Sequence, residues 1–313
     1  MSDSLRQQFV RTFLDLEQVD ANLFRGSQLI AAIPDNPRVY GGQVIGQAMV
    51  AAMKTVSQDF VPHSLHCYFI AGADRNIPIV YSVDRVRDGR SFSNRFVKAI
   101  QNGVHICTCD MSFHRGAADS IVHQRVMPDV PEPDTLRDIE ELRSGNDFSN
   151  PLYRNCKGST SLMSYLPVSF DVRPVDPKKF YLKEPSDPTY MCWLKIKETI
   201  GDDRRLNLCA AAFVSDCFMV PTALMPHIGG GFKLGMVVSL DHSIWFHRPD
   251  LLVDAWMLYE TESSVAANSR ALVHGRMWSQ DKQLMLSTAQ EVLVRGQMKP
   301  ANEKPLVDIP SRG

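Results

Sequence analysis

The chain has 313 residues, 44% hydrophobic and 22% charged, and its 34 Lys and Arg against 35 Asp and Glu leave a formal charge of −1. At ~100–200 residues per domain this is two domains or one large one, long enough to bury a core without a disulfide or metal staple. A near-neutral chain without a basic stripe excludes duplex nucleic acid as a partner, and no apolar run approaches the ~18 residues of a membrane span.

The seven cysteines (Cys67, Cys107, Cys109, Cys156, Cys192, Cys209, Cys217) are an odd, scattered set without a Cys-x-x-Cys pair. Cys107-Thr108-Cys109 has the spacing of alternate strand residues, so buried thiols in a reducing compartment are expected, with no metal. There is no Asn-x-Ser/Thr sequon, and Met1-Ser2-Asp3-Ser4 lacks the features of a signal peptide. The expectation is a soluble intracellular protein.

In chain order, Ser4–Leu16 has helical apolar spacing, with Ser4 and Gln7 placed for a capping box. Gly41-Gly42 leads into Gln43–Met53, apolar almost all round and therefore a buried helix. Strand patterns follow at Ser64–Ile70, Ile79–Arg87, Ser93–Gln101 and His105–Phe113, the last two joined by an Asn102-Gly103 hairpin turn. From Met127 to Pro188 nine prolines interrupt any regular sheet, and only Thr135–Arg143 reads as helix. Leu162, Met163, Tyr165, Leu166 and Phe170 are candidates to pack within this stretch.

The first pattern then returns. Met191–Thr199 and Leu206–Phe213 read as strands, Asp216–Leu224 as a second buried helix, and Gly235–Ile244, Trp256–Thr261, Ser269–Trp278 and Leu284–Val294 as further strands. Ser279-Gln280-Asp281-Lys282 stands where the first half has its Asn-Gly turn. His63-Ser64 recurs at His242-Ser243, Arg95 at Arg270, and the helix start at Gly42 recurs at Asp216, at offsets of 179, 175 and 174. The reading is a duplicated α+β unit: residues 1–125 a first unit, 126–188 a proline-rich connection, 189–300 a second unit and 301–313 a tail. A helix apolar on every side needs a sheet wrapped around it.

Common catalytic signatures are missing. There is no Gly-x-Ser-x-Gly elbow, no Walker A and no His-Glu-x-x-His, and the Gly229–Gly235 run leads into a strand, unlike a dinucleotide-binding loop. His63, His66, His242 and His247 lie in strand patterns and read as packing residues ahead of metal ligands.

What remains is a set of longer motifs. Val39–Ala48, His63–Phe69, Ser239–Pro249, Trp256–Glu260 and Ser287–Glu291 together resemble, in order and across nearly the whole chain, the type II acyl-CoA thioesterases. His63–Phe69 and Met236–Ser243 are most similar to the eukaryotic peroxisomal branch.

The resemblance implies an α+β double hotdog, two tandem units each with an antiparallel sheet around a long central helix. It also implies hydrolysis of fatty acyl-CoA to fatty acid and coenzyme A. It places the family's catalytic Asp on Asp216, its Ser/Thr on Ser239 and its Gln on Gln290, one site per chain, with the first unit lacking the carboxylate and contributing to the acyl or coenzyme pocket. A thioester carbonyl is electrophilic, so a water deprotonated by Asp216 and oriented with Ser239 and Gln290 suffices. The unpaired N–H groups of the helix's first turn suit the oxyanion, and no cofactor is required. Asp110 and His114 are rivals expected at exposed strand positions.

Two other readings stand beside this one. A non-catalytic acyl-CoA-binding protein would hold substrate without releasing thiol. An enoyl-CoA hydratase of the same fold pairs its Asp with a His about five residues on, where this chain has Pro221. A homodimer or higher oligomer is expected from an exposed sheet edge on each unit. The resemblance suggests the peroxisomal matrix, although the Ser311-Arg312-Gly313 tail is not a standard import signal. Cytosol and mitochondrion are the alternatives.

Overall fold

A computed structural model describes residues 15–32, 36–116, 118–144, 170–197 and 199–297. The expected helix over Ser4–Leu16, but for its last two residues, lies outside them. So do the 301–313 tail and Leu162, Met163, Tyr165 and Leu166 of the connection.

The first half runs β1 (Glu17–Asp20), β2 (Leu23–Gly26), α1 (Gly41–Met53), β3 (Phe60–Phe69), β4 (Ile79–Asp88), β5 (Phe92–Gln101) and β6 (Val104–Arg115). After the short helix α2 (Ile139–Ser144) come β7 (Phe170–Pro174), α3 (Pro177–Tyr181) and β8 (Thr189–Ile196). Two consecutive helices, α4 (Arg204–Ser215) and α5 (Met219–Ile228), lead into β9 (Leu234–Ser239) and β10 (Asp241–Phe246). The second half closes with β11 (Met257–Ala267), β12 (Arg270–Ser279) and β13 (Leu284–Gly296).

The thirteen strands of the described residues form one antiparallel sheet in the order β1-β2-β4-β5-β6-β3-β10-β13-β12-β11-β8-β7, with β9 beside β13. The path β2-β4-β5-β6-β3 is repeated by β8-β11-β12-β13-β10, the topology a duplicated unit produces. The halves meet where β3 pairs with β10, in a register that sets Cys67 opposite His242 and His66 opposite Ser243.

Helix α1 is buried from Gly42 to Met53. Its small residues allow close packing, and its two glutamines are satisfied inside the core. Gln43 accepts from the Ile30 N–H and donates to the Gln28 carbonyl, both at 2.7 Å, and Gln47 accepts from the Tyr81 hydroxyl at 2.7 Å. The predicted turn at Asn102-Gly103 has both residues left-handed, with φ of 48° and 77°. A second such turn, Asn268-Ser269, joins β11 to β12 at φ of 51° and 58°.

One expected strand is a helix. Leu206–Phe213 lies within α4, whose N-cap Asp203 accepts from the N–H groups of Arg205 and Leu206 at 3.0 and 3.2 Å. An apolar run buried on every side carries no period to separate strand from helix, and Ala210-Ala211-Ala212 decides for helix. The stretch Arg204–Ile228 is also apolar and long enough by composition to cross a membrane, which a search for an unbroken apolar run passes over. Here 89% of its most apolar 18-residue window is buried inside the protein.

The connection is an ordered strap over its described part. The Trp193 indole donates to the Pro131 carbonyl at 2.9 Å, and Gln124 is bonded to the Lys282 carbonyl and the Leu284 N–H. Met127, Val130 and Leu136 pack on a cluster of Trp193, Trp256, Leu258 and Trp278, so this segment covers the second half's sheet. The expected helix over Thr135–Arg143 reduces to a 3-10 turn at Pro133–Thr135 and α2.

Candidate functional site

Asp216, Ser239 and Gln290 converge on one place, where the carboxyl end of α4 meets the amino end of α1. Asp216 is not the first residue of a helix, as the sequence suggested. It caps the C-terminus of α4 and is separated from the start of α5 by two residues. A carboxylate there gains nothing from its own helix dipole, and it is only 7% exposed. Burial accordingly raises its pKa above the ordinary carboxylate range.

Three groups counter that burial. The Gly42 N–H, in the first turn of α1, donates to Asp216 Oδ2 at 2.9 Å. Gln290 hydrogen-bonds the carboxyl, and the imidazole of His242 acts on it electrostatically. The helix amino terminus that faces this acid therefore belongs to α1 of the first half. The sequence had assigned that part to the second buried helix.

Close packing keeps that amino terminus in place. Tyr40 donates its hydroxyl to the Phe213 carbonyl at 2.7 Å, and the same oxygen lies 3.2 Å from Cys217 Sγ. A Cβ on Gly42 would stand 2.4 Å from the Phe213 carbonyl oxygen, so only glycine lets the two helices approach. A Cβ on Gly41 would stand 3.0 Å from Asp216 Oδ2 and 2.9 Å from the Phe69 ring.

Gln290 is fully buried on β13, at the point where that strand changes partner from β10 to β9. The change happens because Leu240 interrupts the β9–β10 run. The Leu240 N–H is held by the Glu291 carbonyl at 2.8 Å and the Asp241 carboxylate by the Glu291 N–H at 2.6 Å. Ser239 and His242 thus stand on either side of the Gln290 amide. Gln290 Nε2 donates to Ser239 Oγ at 2.7 Å, and Gln290 Oε1 lies 2.5 Å from His242 Nδ1. His242 Nε2 lies 2.9 Å from Ser215 Oγ, the residue before Asp216. Burial lowers the pKa of His242 and favours the neutral ring.

His242 had read as a packing histidine. The available signal was its place in the Ser239-Leu240-Asp241-His242-Ser243 motif, three residues after Ser239. Asp110 is exposed on β6, and His114 stacks on Phe92 with centroids 4.5 Å apart. Neither joins the Asp216 group. Cys67, Cys107 and Cys109 are brought closer than the sequence implied, since Cys67 lies opposite Cys109 and the three sulfurs fall within 4.8 Å. They are buried thiols in the first half's core, and no imidazole or carboxylate joins them among the described residues.

The family model of the acyl-CoA thioesterase N-terminal domain matches residues 32–114, and that of the acyl-CoA thioesterase C-terminal domain matches residues 133–294. Acyl-coenzyme A thioesterase 8 of Rattus norvegicus is 39% identical over 305 residues, 97% of this chain and 94% of the rat protein. The crystal structure of acyl-CoA thioesterase II TesB2 from Mycobacterium marinum is similar at 32% identity and TM-score 0.73, covering 95% of this chain and 100% of that one. A hot dog fold protein from Alicyclobacillus acidocaldarius matches with TM-score 0.73 at 21% identity, covering 93% and 99% of the two chains. The architecture is the expected double hotdog.

Proposed function

The chain belongs to the acyl-CoA thioesterase family and is an acyl-CoA thioester hydrolase, and we propose that Asp216 is its general base, acting on a water held with Gln290 and Ser239. The observation that carries this reading is the buried carboxyl whose partners are a helix amino terminus and a fully engaged glutamine.

Water between Asp216 and the thioester carbonyl loses a proton to the carboxylate as its oxygen bonds to the carbonyl carbon. The carbonyl oxygen becomes an oxyanion facing the positive amino end of α1, whose Gly42 N–H holds Asp216. Collapse of the tetrahedral adduct breaks the carbon–sulfur bond, and the proton on Asp216 passes to the departing coenzyme A thiolate. A buried carboxyl with a raised pKa is a stronger base than an exposed one, and the more basic thiolate takes the proton from it as it leaves. Each half is needed, one for the acid and the other for the oxyanion donors.

Free-thiol release from acyl-CoAs of C6 to C18, followed with a thiol-reactive dye, tests the reading. Wild type is expected to turn over and Asp216→Ala to lose at least ~100-fold. Turnover that survives Asp216→Ala would remove the base assignment. Binding of acyl-CoA without thiol release at any chain length would point instead to a non-catalytic carrier.

Two further readings belong here. The likeness of His63–Phe69 and Met236–Ser243 to the peroxisomal branch supports a peroxisomal location, tested by imaging the tagged full chain. Exposed Tyr68 and Trp245 on the outer face of the seam support a homodimer or higher oligomer, tested by sedimentation.

A further inference from the structure

A primary amide offers one acceptor and two donors, and only one of its two flip states suits a site that holds a carboxylate. With Nε2 toward Asp216 and Ser239, Gln290 presents donors to both. Flipped, it would set its carbonyl oxygen against the Asp216 carboxylate. The side that decides is the third partner, His242, whose Nδ1 lies 2.5 Å from Gln290 Oε1. If Nδ1 carries the proton, Oε1 must face the ring and both Nε2 protons face the acid and Ser239. Nε2 of His242 is then an acceptor, and the Ser215 hydroxyl turns its one proton to that nitrogen, 2.9 Å away, and not to the Ala212 carbonyl at the same distance.

These contacts close a ring of four side chains: Asp216, Gln290, His242 and Ser215, with the last covalently adjacent to the first. His242 and Gln290 are both fully buried, so neither has water to exchange for its protein partner. Among the described residues the imidazole has no hydrogen bond to Gly42 or Ser239; it acts on the site through the amide and through its field on the Asp216 carboxyl.

We propose that His242 is a positioning residue for thioester hydrolysis: held at Nε2 by Ser215, it donates from Nδ1 to Gln290 and so directs the amide's two N–H donors at Asp216 and Ser239. This rests on the reading of Asp216 as the base, and it adds a residue whose removal leaves every group of that base apparatus present. The ring also ties the amide's orientation to Ser215, so the carboxyl end of α4 sets both the position of the acid and the direction of its partner.

The test compares three replacements. His242→Asn keeps a donor near the Nδ1 position, His242→Gln places its amide nearer Nε2, and His242→Leu has neither. In the thiol-release assay His242→Leu and His242→Gln are expected to lose ~10²-fold in kcat, the scale of a misplaced reacting group, with KM within ~3-fold of wild type. His242→Asn is expected to recover at least ~10-fold of that loss. A structural role alone predicts that Asn and Gln fail alike, with thermal midpoint tracking activity. Equal activity in those two variants, or a loss confined to KM, overturns the proposal.

Should the His242 variants fail to fold, Ser215→Ala removes the Nε2 partner and leaves the ring. It is expected to cost ~10-fold in kcat at unchanged KM, and an unchanged kcat overturns the proposal. Asp216→Asn in the same series separates the two readings. If it stays active while Asn and Gln at 242 differ, the base assignment falls and the positioning role stands. If it is inactive while they do not differ, the positioning role falls alone.

Discussion

The N–H of Gly42 and the Oδ2 of Asp216 meet at 2.9 Å, although 174 residues of chain separate them. The bond joins the positive end of a helix in one half to an acid at the negative end of a helix in the other. The α1 dipole thus supplies what the α4 dipole denies, and the acid is stabilised across a domain boundary.

Gly42→Ala should damage both fold and turnover. Its methyl would stand 2.4 Å from the Phe213 carbonyl oxygen and 2.6 Å from the Tyr40 ring, so α1 must move away from α4. The cost expected of such overpacking is ~1–3 kcal/mol, read by urea denaturation. The kcat should fall more than stability accounts for, because the same shift withdraws the N–H from Asp216.

Asp216→Asn should stabilise the protein while abolishing activity. Burial raises the folded-state pKa of Asp216 above its unfolded value, so the folded state favours the proton. That contribution is fully present below the unfolded pKa of ~3.9 and is lost as pH rises through the folded value. The variant should therefore unfold at a higher temperature than wild type at pH 7–8. The difference should shrink as pH falls toward ~4. An equal midpoint across that range would contradict the burial cost.

Gln290→Glu should move the acid limb of kcat/KM to higher pH. A second carboxyl within hydrogen-bond reach of Asp216 adds like-charge repulsion where the native amide donates. Activity at neutral pH should fall ~10²-fold and recover partly in alkaline buffer. A uniform loss without a shifted limb would show that the amide's geometry outweighs its charge.

Arg95→Met tests the other end of α1. The guanidinium, 1% exposed, donates to the Thr55 hydroxyl and carbonyl at 2.8 and 2.9 Å and to the carbonyls of Arg87 and Asn94. Its ion pair with the exposed Asp88 adds little by comparison. Stranding the buried acceptors should cost ~1–3 kcal/mol in urea. Arg270, its sequence counterpart, is exposed and pairs with Glu291, and Arg270→Met should be nearly neutral.

Most strands were legible because one face is buried and the other solvated, and the Asn-Gly turn fixed the β5–β6 register. Strands β1 and β2 were not read, and β7, which Pro174 ends, lies in the stretch whose prolines had argued against a sheet. The α4 helix was not legible either, since Leu206–Phe213 is buried on every side and carries no period, and Asp203 shows its capping role only in its bonds to the Arg205 and Leu206 N–H groups. Asp216, Ser239 and Gln290 were readable from motif resemblance. That they meet at the amino end of α1 depends on the β3–β10 pairing, which leaves no local mark in either strand. His242 was passed over for the same reason, because its partners Gln290 and Ser215 are 48 and 27 residues away.

The pairing of β3 with β10 also settles how far the sheet extends. Each unit spends one rim on the other, and the rims left over among the described residues are poor templates. At one end β1 is four exposed residues carrying Glu17 and Asp20. At the other, β7 is five residues with Asp171 and Arg173 and terminates in Pro174. Short, charged and proline-ended margins resist the addition of a stranger's strand. The margins of the described sheet are thus guarded against strand addition, and the faces are left as the surfaces open to contact.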